Sequence, residues 1–313
     1  MTDKAQLRSD GGDRLRRLAT YASVGVAFVL IVAKLAAYFF TDSVAVLSSL
    51  LDSTIDLIAA VVNVFGVASA LKPPDRDHRF GHGKAEPLAA LAQAAFISGS
   101  SVLLAYEALR RFYHPHDIEN ENFGYVVMTF SIVLSMFLVW FQHHVTRRTG
   151  SMAIGADKMH YIGDLAINAA VMVAFGLHQA TGLDWFDPFF ALLIAGGLTY
   201  SAYRISLQAL NVLMDREVPD SDREKIMAIA RRHPQVRGVH DLRTRTDGER
   251  IFIEFHLELD GNMSIKTAHQ IDETIMAEVG KAFPNADILI HQDPAGVIEE
   301  RLDEQIEVRA AQK

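Results

Sequence analysis

The stretch LSSLLDSTIDLIAA, Leu47–Ala60, decides how the chain folds. It lies within an apolar run, Val44–Leu71, long enough to cross a bilayer core, which takes about 20 residues in a helix. Yet it carries Asp52 and Asp56, four residues apart and therefore on one helix face. An ionised carboxylate at that depth costs about 3 kcal/mol on insertion scales. A matched pair in such a run implies a polar site inside a membrane domain, compensated by a partner elsewhere in the chain.

That partner is legible about a hundred residues on. MAIGADKMHYIGDLAINAA, Met152–Ala170, places His160 and Asp164 at the same i, i+4 spacing within another apolar run. Six such runs succeed one another: Leu18–Phe40, Val44–Leu71, Pro87–Phe112, Phe123–Val145, Met152–Thr181 and Trp185–Met214. One alone would suit a buried core helix, but six in series predict a six-helix transmembrane domain. The first run is too long for the apolar region of a signal peptide, contains Lys34 and has no small-x-small cleavage site. Basic residues cluster before the first run (Arg14, Arg16, Arg17), between the second and third (Lys72, Arg76, Arg79, Lys84) and between the fourth and fifth (Arg147, Arg148, Lys158). The positive-inside rule puts these segments, and both termini, in the cytoplasm.

The whole chain of 313 residues is 50% apolar, contains no cysteine and has a net charge of −8. Without thiols there are no disulfides, zinc ribbons, iron–sulfur clusters or cysteine nucleophiles. A transition metal has only imidazole and carboxylate to bind, and the acidic balance argues against nucleic acid as a partner. The charge is uneven: residues 1–214 carry 16 basic and 17 acidic side chains, residues 215–313 carry 14 and 21.

The acidic part reads as a separate α+β domain. Ser221-Asp222-Arg223-Glu224 opens a helix with a capping pattern, and Pro234 follows its end. Strands over Val239–Thr246 and Arg250–Asp260 are joined through Asp247-Gly248, a hairpin signal. A helix over Ser264–Phe283 and a strand over Asp287–Gln292 complete an αββαβ order, a small ferredoxin-like, metallochaperone-like sandwich. The expected domains are a cytoplasmic segment over 1–14, the transmembrane domain over 15–214, the cytoplasmic domain over 215–297 and a loose charged tail over 298–313.

Asp52, Asp56, His160 and Asp164 form a donor set suited to tetrahedral Zn²⁺, and one that exchanges metal for protons, since metal needs neutral imidazole and ionised carboxylate. A second cluster, Asp75, His78 and His82, lies in the loop KPPDRDHRFGHGKAEP. Lys84 in that loop has Asp215 as its candidate partner. In the soluble part, strand alternation turns His256 away from the main apolar side, and His291 and Asp293 share one face. His240 and His269 are candidates to complete a carboxylate-bridged pair of metals there. His114, His116, His143, His144, His178 and His233, at helix ends or in loops, are not expected to be ligands.

Together the DxxxD of Asp52 and Asp56, the HxxxD of His160 and Asp164, FGHGKAEPLAALAQ from Phe80, HDLRTR from His240 and IHQDP from Ile290 resemble the cation diffusion facilitator family, most closely its bacterial ferrous-iron and zinc efflux pumps. The resemblance spans about Arg14 to Pro294. It implies a homodimer in the bacterial inner membrane, with Asp52, Asp56, His160 and Asp164 as transport site and Asp75, His78 and His82 as a loop site. It further implies a binuclear site of His240, His256, His269, His291 and Asp293, with Asp293 bridging, and Lys84 and Asp215 as a charge pair at the dimer hinge. The expected function is efflux of Zn²⁺, or of Fe²⁺, Cd²⁺, Co²⁺ or Mn²⁺, in exchange for protons, without an organic cofactor. A lone imidazole among three carboxylates suits Mn²⁺ less well than an all-oxygen site would, and Met159 beside it is a candidate for tuning selectivity. The alternatives are a membrane-embedded metalloenzyme, which would need a general base beside an open metal position, and a membrane-anchored metal sensor.

Overall fold

A computed structural model describes residues 2–41, 44–113, 121–183, 185–297 and 301–311. Two compact units divide it, Met1–Leu210 and Asn211–Lys313.

The first unit is built from long helices: α1 (Thr2–Thr41), α2 (Val44–Ala70), α3 (Ala85–Tyr113), α4 (Glu121–Thr149), α5 (Met152–Thr181) and α6 (Phe186–Leu213), the last of which runs on to the boundary with the second. Stretches of α1, α2, α3, α5 and α6 are each long and apolar enough to cross a membrane. α4, at 29 residues, spans about 44 Å and packs against α1 and α5. The helix ends follow local chemistry. Pro87 sits in the first turn of α3, where no backbone N–H is needed. Ser151 Oγ accepts from Ile154 N to cap α5, whose other end closes at Gly182 with φ +73°. α1 begins at Thr2, so the helix runs through residues 2–14 of the expected cytoplasmic segment ahead of the apolar run.

Small residues hold these helices together. Ala19, Ala59, Ala60, Ala89, Ala90, Ala153 and Ala156 are buried, so backbones approach closely. At Gly66 of α2 a Cβ would stand 2.3 Å from Ala89 Cβ of α3, which only glycine avoids.

The second unit contains α7 (Asp220–Arg231), β1 (Gly238–Thr246), β2 (Ile251–Leu259), α8 (Ile265–Ala282), β3 (Ala286–Pro294) and α9 (Leu302–Ala311). The sheet order is β1-β2-β3, with β1 and β2 antiparallel and β2 and β3 parallel across α8. Gly248, φ +102°, turns the hairpin, and Asp247 Oδ1 accepts from Glu249 N and Arg250 N. Ile226, Ile253, Phe255, Leu257, Ile271, Ile275 and Val279 form the core between one sheet face and α7 with α8. α7 starts at Asp220 with Pro219 as its N-cap, so the capping pattern at Ser221 does not set the start. The tail expected to be loose is helical as α9. Asp241 Oδ1 and Oδ2 accept from Asp303 N and Leu302 N, and Asp303 Oδ2 accepts from Asp241 N, clasping the start of α9 to β1.

Candidate metal centres

In the first unit, α2 and α5 bring Asp56 and His160 together, with His160 Nε2 2.8 Å from Asp56 Oδ1 and 3.8 Å from Asp164 Oδ2. Asp56, His160 and Asp164 each offer a ligand atom within 4.8 Å of the others. The i, i+4 spacing on α5 stacks His160 and Asp164 one turn apart, as the sequence predicted. Asp52, one turn before Asp56 on α2, does not join that group. Lys34 of α1 enters instead: its Nζ donates to Ser53 Oγ at 2.7 Å, and its charge acts on Asp56, Asp164 and Asp52. In the sequence Lys34 bears only on the exclusion of a signal peptide. A lone basic residue in the first apolar run was the available signal.

The loop between α2 and α3 gathers the second cluster. His78 Nδ1 and His82 Nε2 each lie 3.4 Å from Asp75, and the two rings are 4.5 Å apart. The turn is built on Asp75 itself, whose Oδ1 accepts from Asp77 N at 2.9 Å and His78 N at 2.7 Å. The bond from His78 N is the main reason its carboxyl is held below the usual carboxylate range. His82 Nδ1 is buried with no hydrogen-bond partner, leaving a lone pair for an ion.

In the second unit, strand register does the assembling. His240, His256 and His291 align as one cross-strand row over β1, β2 and β3, on the face opposite the core. Asp293 and Glu258 are paired in the row two residues along and so share that face. Asp293 Oδ2 lies 2.8 Å from His256 Nδ1 and 3.5 Å from His240 Nε2, and Oδ1 lies 3.2 Å from His291 Nε2. A carboxylate touching three imidazoles through both oxygens is disposed to bridge two ions. His240 Nδ1 is 3.1 Å from Glu258 Oε1 but out of hydrogen-bonding alignment, so it too is a buried nitrogen without a partner. The donor set fits zinc-type ions, which take imidazole and carboxylate together.

His269, by contrast, lies on α8, 67% exposed, beside Glu273 at 3.5 Å, outside the cluster of His240, His256 and Asp293. Glu258 was missed, although it stands two residues after His256 on an alternating strand. A bulge after His240 leaves Asp241 at φ +51°, where burial opposes its charge and the N–H groups of Asp303 and Leu302 more than offset it, so its carboxyl stays below the usual range. His114 and His116 lie outside the described residues. Lys84 belongs to the first unit and Asp215, at φ +56°, to the second.

A carboxylate–imidazole site among membrane helices, joined in one chain to a histidine-lined α+β domain, defines a multi-pass membrane protein that handles divalent metals. The "Cation efflux transmembrane domain" profile matches residues 20–214, and that of the "Cation efflux protein, cytoplasmic domain" matches residues 218–295. The cation-efflux pump FieF of Shewanella oneidensis is 45% identical over 90% of this chain and 95% of its own length. That of Pectobacterium carotovorum is 42% identical over 92% and 95%. A solved metal-bound C-terminal domain of the CzcD transporter from Thermotoga maritima is 36% identical over 25% of this chain and 93% of its own, with a TM-score of 0.25. The chain belongs to the cation efflux, or cation diffusion facilitator, family. It is a divalent-metal efflux transporter with a metal-binding cytoplasmic domain, not an enzyme.

Proposed function

We propose that the chain exports Zn²⁺, or Fe²⁺, in exchange for protons by alternating access. The observation that carries this reading is the convergence of Asp56, His160 and Asp164 within 4.8 Å in the membrane unit. Asp52 joins them as the fourth ligand once a dication draws the carboxylates inward. Metal bound by one imidazole and carboxylates is displaced by protons, because each ligand binds one or the other. Lys34 is the natural counter-charge of the metal-free cluster, through its influence on all three aspartates.

The working form is a homodimer in the inner membrane with both termini cytoplasmic. Ions at His240, His256, His291 and Asp293, and at Asp75, His78 and His82, are regulatory. By neutralising part of the acidic excess of residues 215–313, they let the cytoplasmic domains of two protomers approach. His269 serves this site only in a metal-loaded arrangement. Lys84 and Asp215 act as the charge pair at the hinge. Replacing Asp56 with Ala is expected to abolish proton-driven zinc uptake into inverted vesicles while the dimer stays folded. Uptake at the wild-type rate would overturn the site assignment.

A further inference from the structure

Three residues before His160, α5 carries another carboxylate, Asp157, which none of the metal clusters uses. Its side chain is buried, 1% exposed. Three helices reach into it: Ser23 Oγ of α1 stands 2.5 Å from Oδ2, Gln93 Nε2 of α3 donates to Oδ1 at 2.6 Å, and Gln142 Nε2 of α4 donates to Oδ2 at 2.7 Å. Asn63 of α2 lies against it too, its amide buried without a hydrogen bond of standard geometry. Among the described residues no basic side chain forms an ion pair with Asp157. A carboxylate this deeply buried whose hydrogen bonds all come from neutral groups is ordinarily costly unless the surroundings suit it in more than one charge state.

This shell does. The Ser23 hydroxyl has one proton and two acceptors in reach, Asp157 Oδ2 and Ala19 O at 3.1 Å, while Gln142 Nε2 donates to it at 2.9 Å. With Asp157 ionised, Ser23 and the two glutamines all donate to the carboxylate. With Asp157 protonated, its own O–H donates to Ser23 Oγ, and the serine proton turns to Ala19 O. Gln93 Oε1 and Gln142 Oε1 are buried without partners, so turning either amide exchanges a donor for an acceptor beside the carboxyl. The Asp157 carboxyl thus finds hydrogen-bond partners with the proton and without it.

We propose that Asp157 is a proton-binding site of the transport cycle: it holds one proton at Oδ2, shared with Ser23, when the Asp56–His160–Asp164 cluster is metal-free, and releases it to solvent when a dication enters. The inference rests on the proton-exchange reading above and extends it to a residue outside the metal ligands. Asp157 and His160 are separated by a rise of about 4.5 Å along α5, close enough that a dication displacing the His160 proton, and so raising the charge there by one, disfavours the proton on Asp157. The groups facing Asp157 from the other helices, Ser23, Asn63, Gln93 and Gln142, do not ionise in the working pH range. On α5 itself the ionisable neighbours are His160 and Tyr161, whose OH donates to Ser23 O at 3.1 Å.

The test is proton release on Zn²⁺ addition to the purified full-length chain in weakly buffered detergent, read with a pH indicator and compared with Asp157→Asn at equal metal occupancy. The substituted chain should release one proton fewer per protomer. Infrared difference spectra should show a protonated-carboxyl C=O band that disappears with Zn²⁺ in the wild type, is absent in Asp157→Asn and returns at a shifted position in Asp157→Glu. Equal release and an unchanged band would overturn the proposal while leaving proton exchange at the metal cluster intact. No release from the wild-type chain would overturn the exchange reading and this one with it. If Asp157→Asn does not fold, Ser23→Ala keeps the carboxyl but removes its proton-sharing partner, and should move the pH midpoint of the band; an unmoved midpoint would count against the site.

Discussion

In the membrane unit the most buried apolar side chains are largely alanines, such as Ala19, Ala90 and Ala156, while Phe28, Phe137 and Trp140 stand exposed. In the C-terminal unit the order reverses, with Phe255, Ile253, Leu257 and Ile275 at the centre. The same side chains are sorted oppositely because the solvents differ. Lipid welcomes a phenyl ring, so helices associate through close backbone approach; water expels it, so the sheet and its helices enclose it. The polar sites follow the same division. Between membrane helices Asp56, His160 and Asp164 are compensated by Lys34 nearby, whereas His240, His256 and His291 lie along a sheet face.

The sharpest contrast to break is functional. Asp164→Ala is expected to reduce zinc flux in reconstituted vesicles to background, because at the proposed transport site the ion would lose a ligand that it must pass. His291→Ala should lower the zinc occupancy of the full chain, read by equilibrium dialysis, yet retain a substantial part of the flux. If both substitutions abolish flux equally, the C-terminal cluster lies on the transport path and its regulatory role is wrong.

The packing contrast comes next. Phe255→Ala opens a cavity in an enclosed core and is expected to cost about 3–5 kcal/mol. Phe137→Ala, at a side chain 68% exposed, should stay within about 0.5 kcal/mol. Amide exchange followed separately in β2 and α4 would read both, with protection collapsing in β2 and holding in α4. A comparable loss at Phe137 would mean that this face is packed rather than bathed in lipid.

How much of this was legible beforehand follows the same division. Within one element, periodicity carries the information: i, i+4 spacing correctly stacked His160 and Asp164, and alternation correctly placed His256 off the core face. Across elements it carries little. Lys34 pairs with Ser53 of the next helix, which no pattern in either run announces. His269, named as a ligand through the resemblance, sits on the predicted helix beside Glu273, and no periodicity within that helix relates it to the sheet histidines. The charge of the tail points to a loose segment, but its helix is anchored by a reciprocal clasp to Asp241, 62 residues away in sequence.

The smallest expected effect concerns a charge that the C-terminal unit buries. Asp272 of α8 is 7% exposed; burial raises its carboxyl above the usual range, and a hydrogen bond donated by Gln292 of β3 only partly opposes this. A raised folded value means that the folded state holds its proton longer than the unfolded chain does. Stability is therefore greatest below the unfolded value, about 3.9, and declines as pH rises through the folded one. Asp272→Asn keeps an oxygen for Gln292 and removes the ionisation, so it should stabilise this unit at pH 7 by about 1 kcal/mol or less. The gain should fade below about pH 4, where the aspartate is neutral in both states. Thermal unfolding of the full chain at the two pH values, followed by exchange in α8, checks it. A gain of equal size at both would show that shape, and not charge, limits the site.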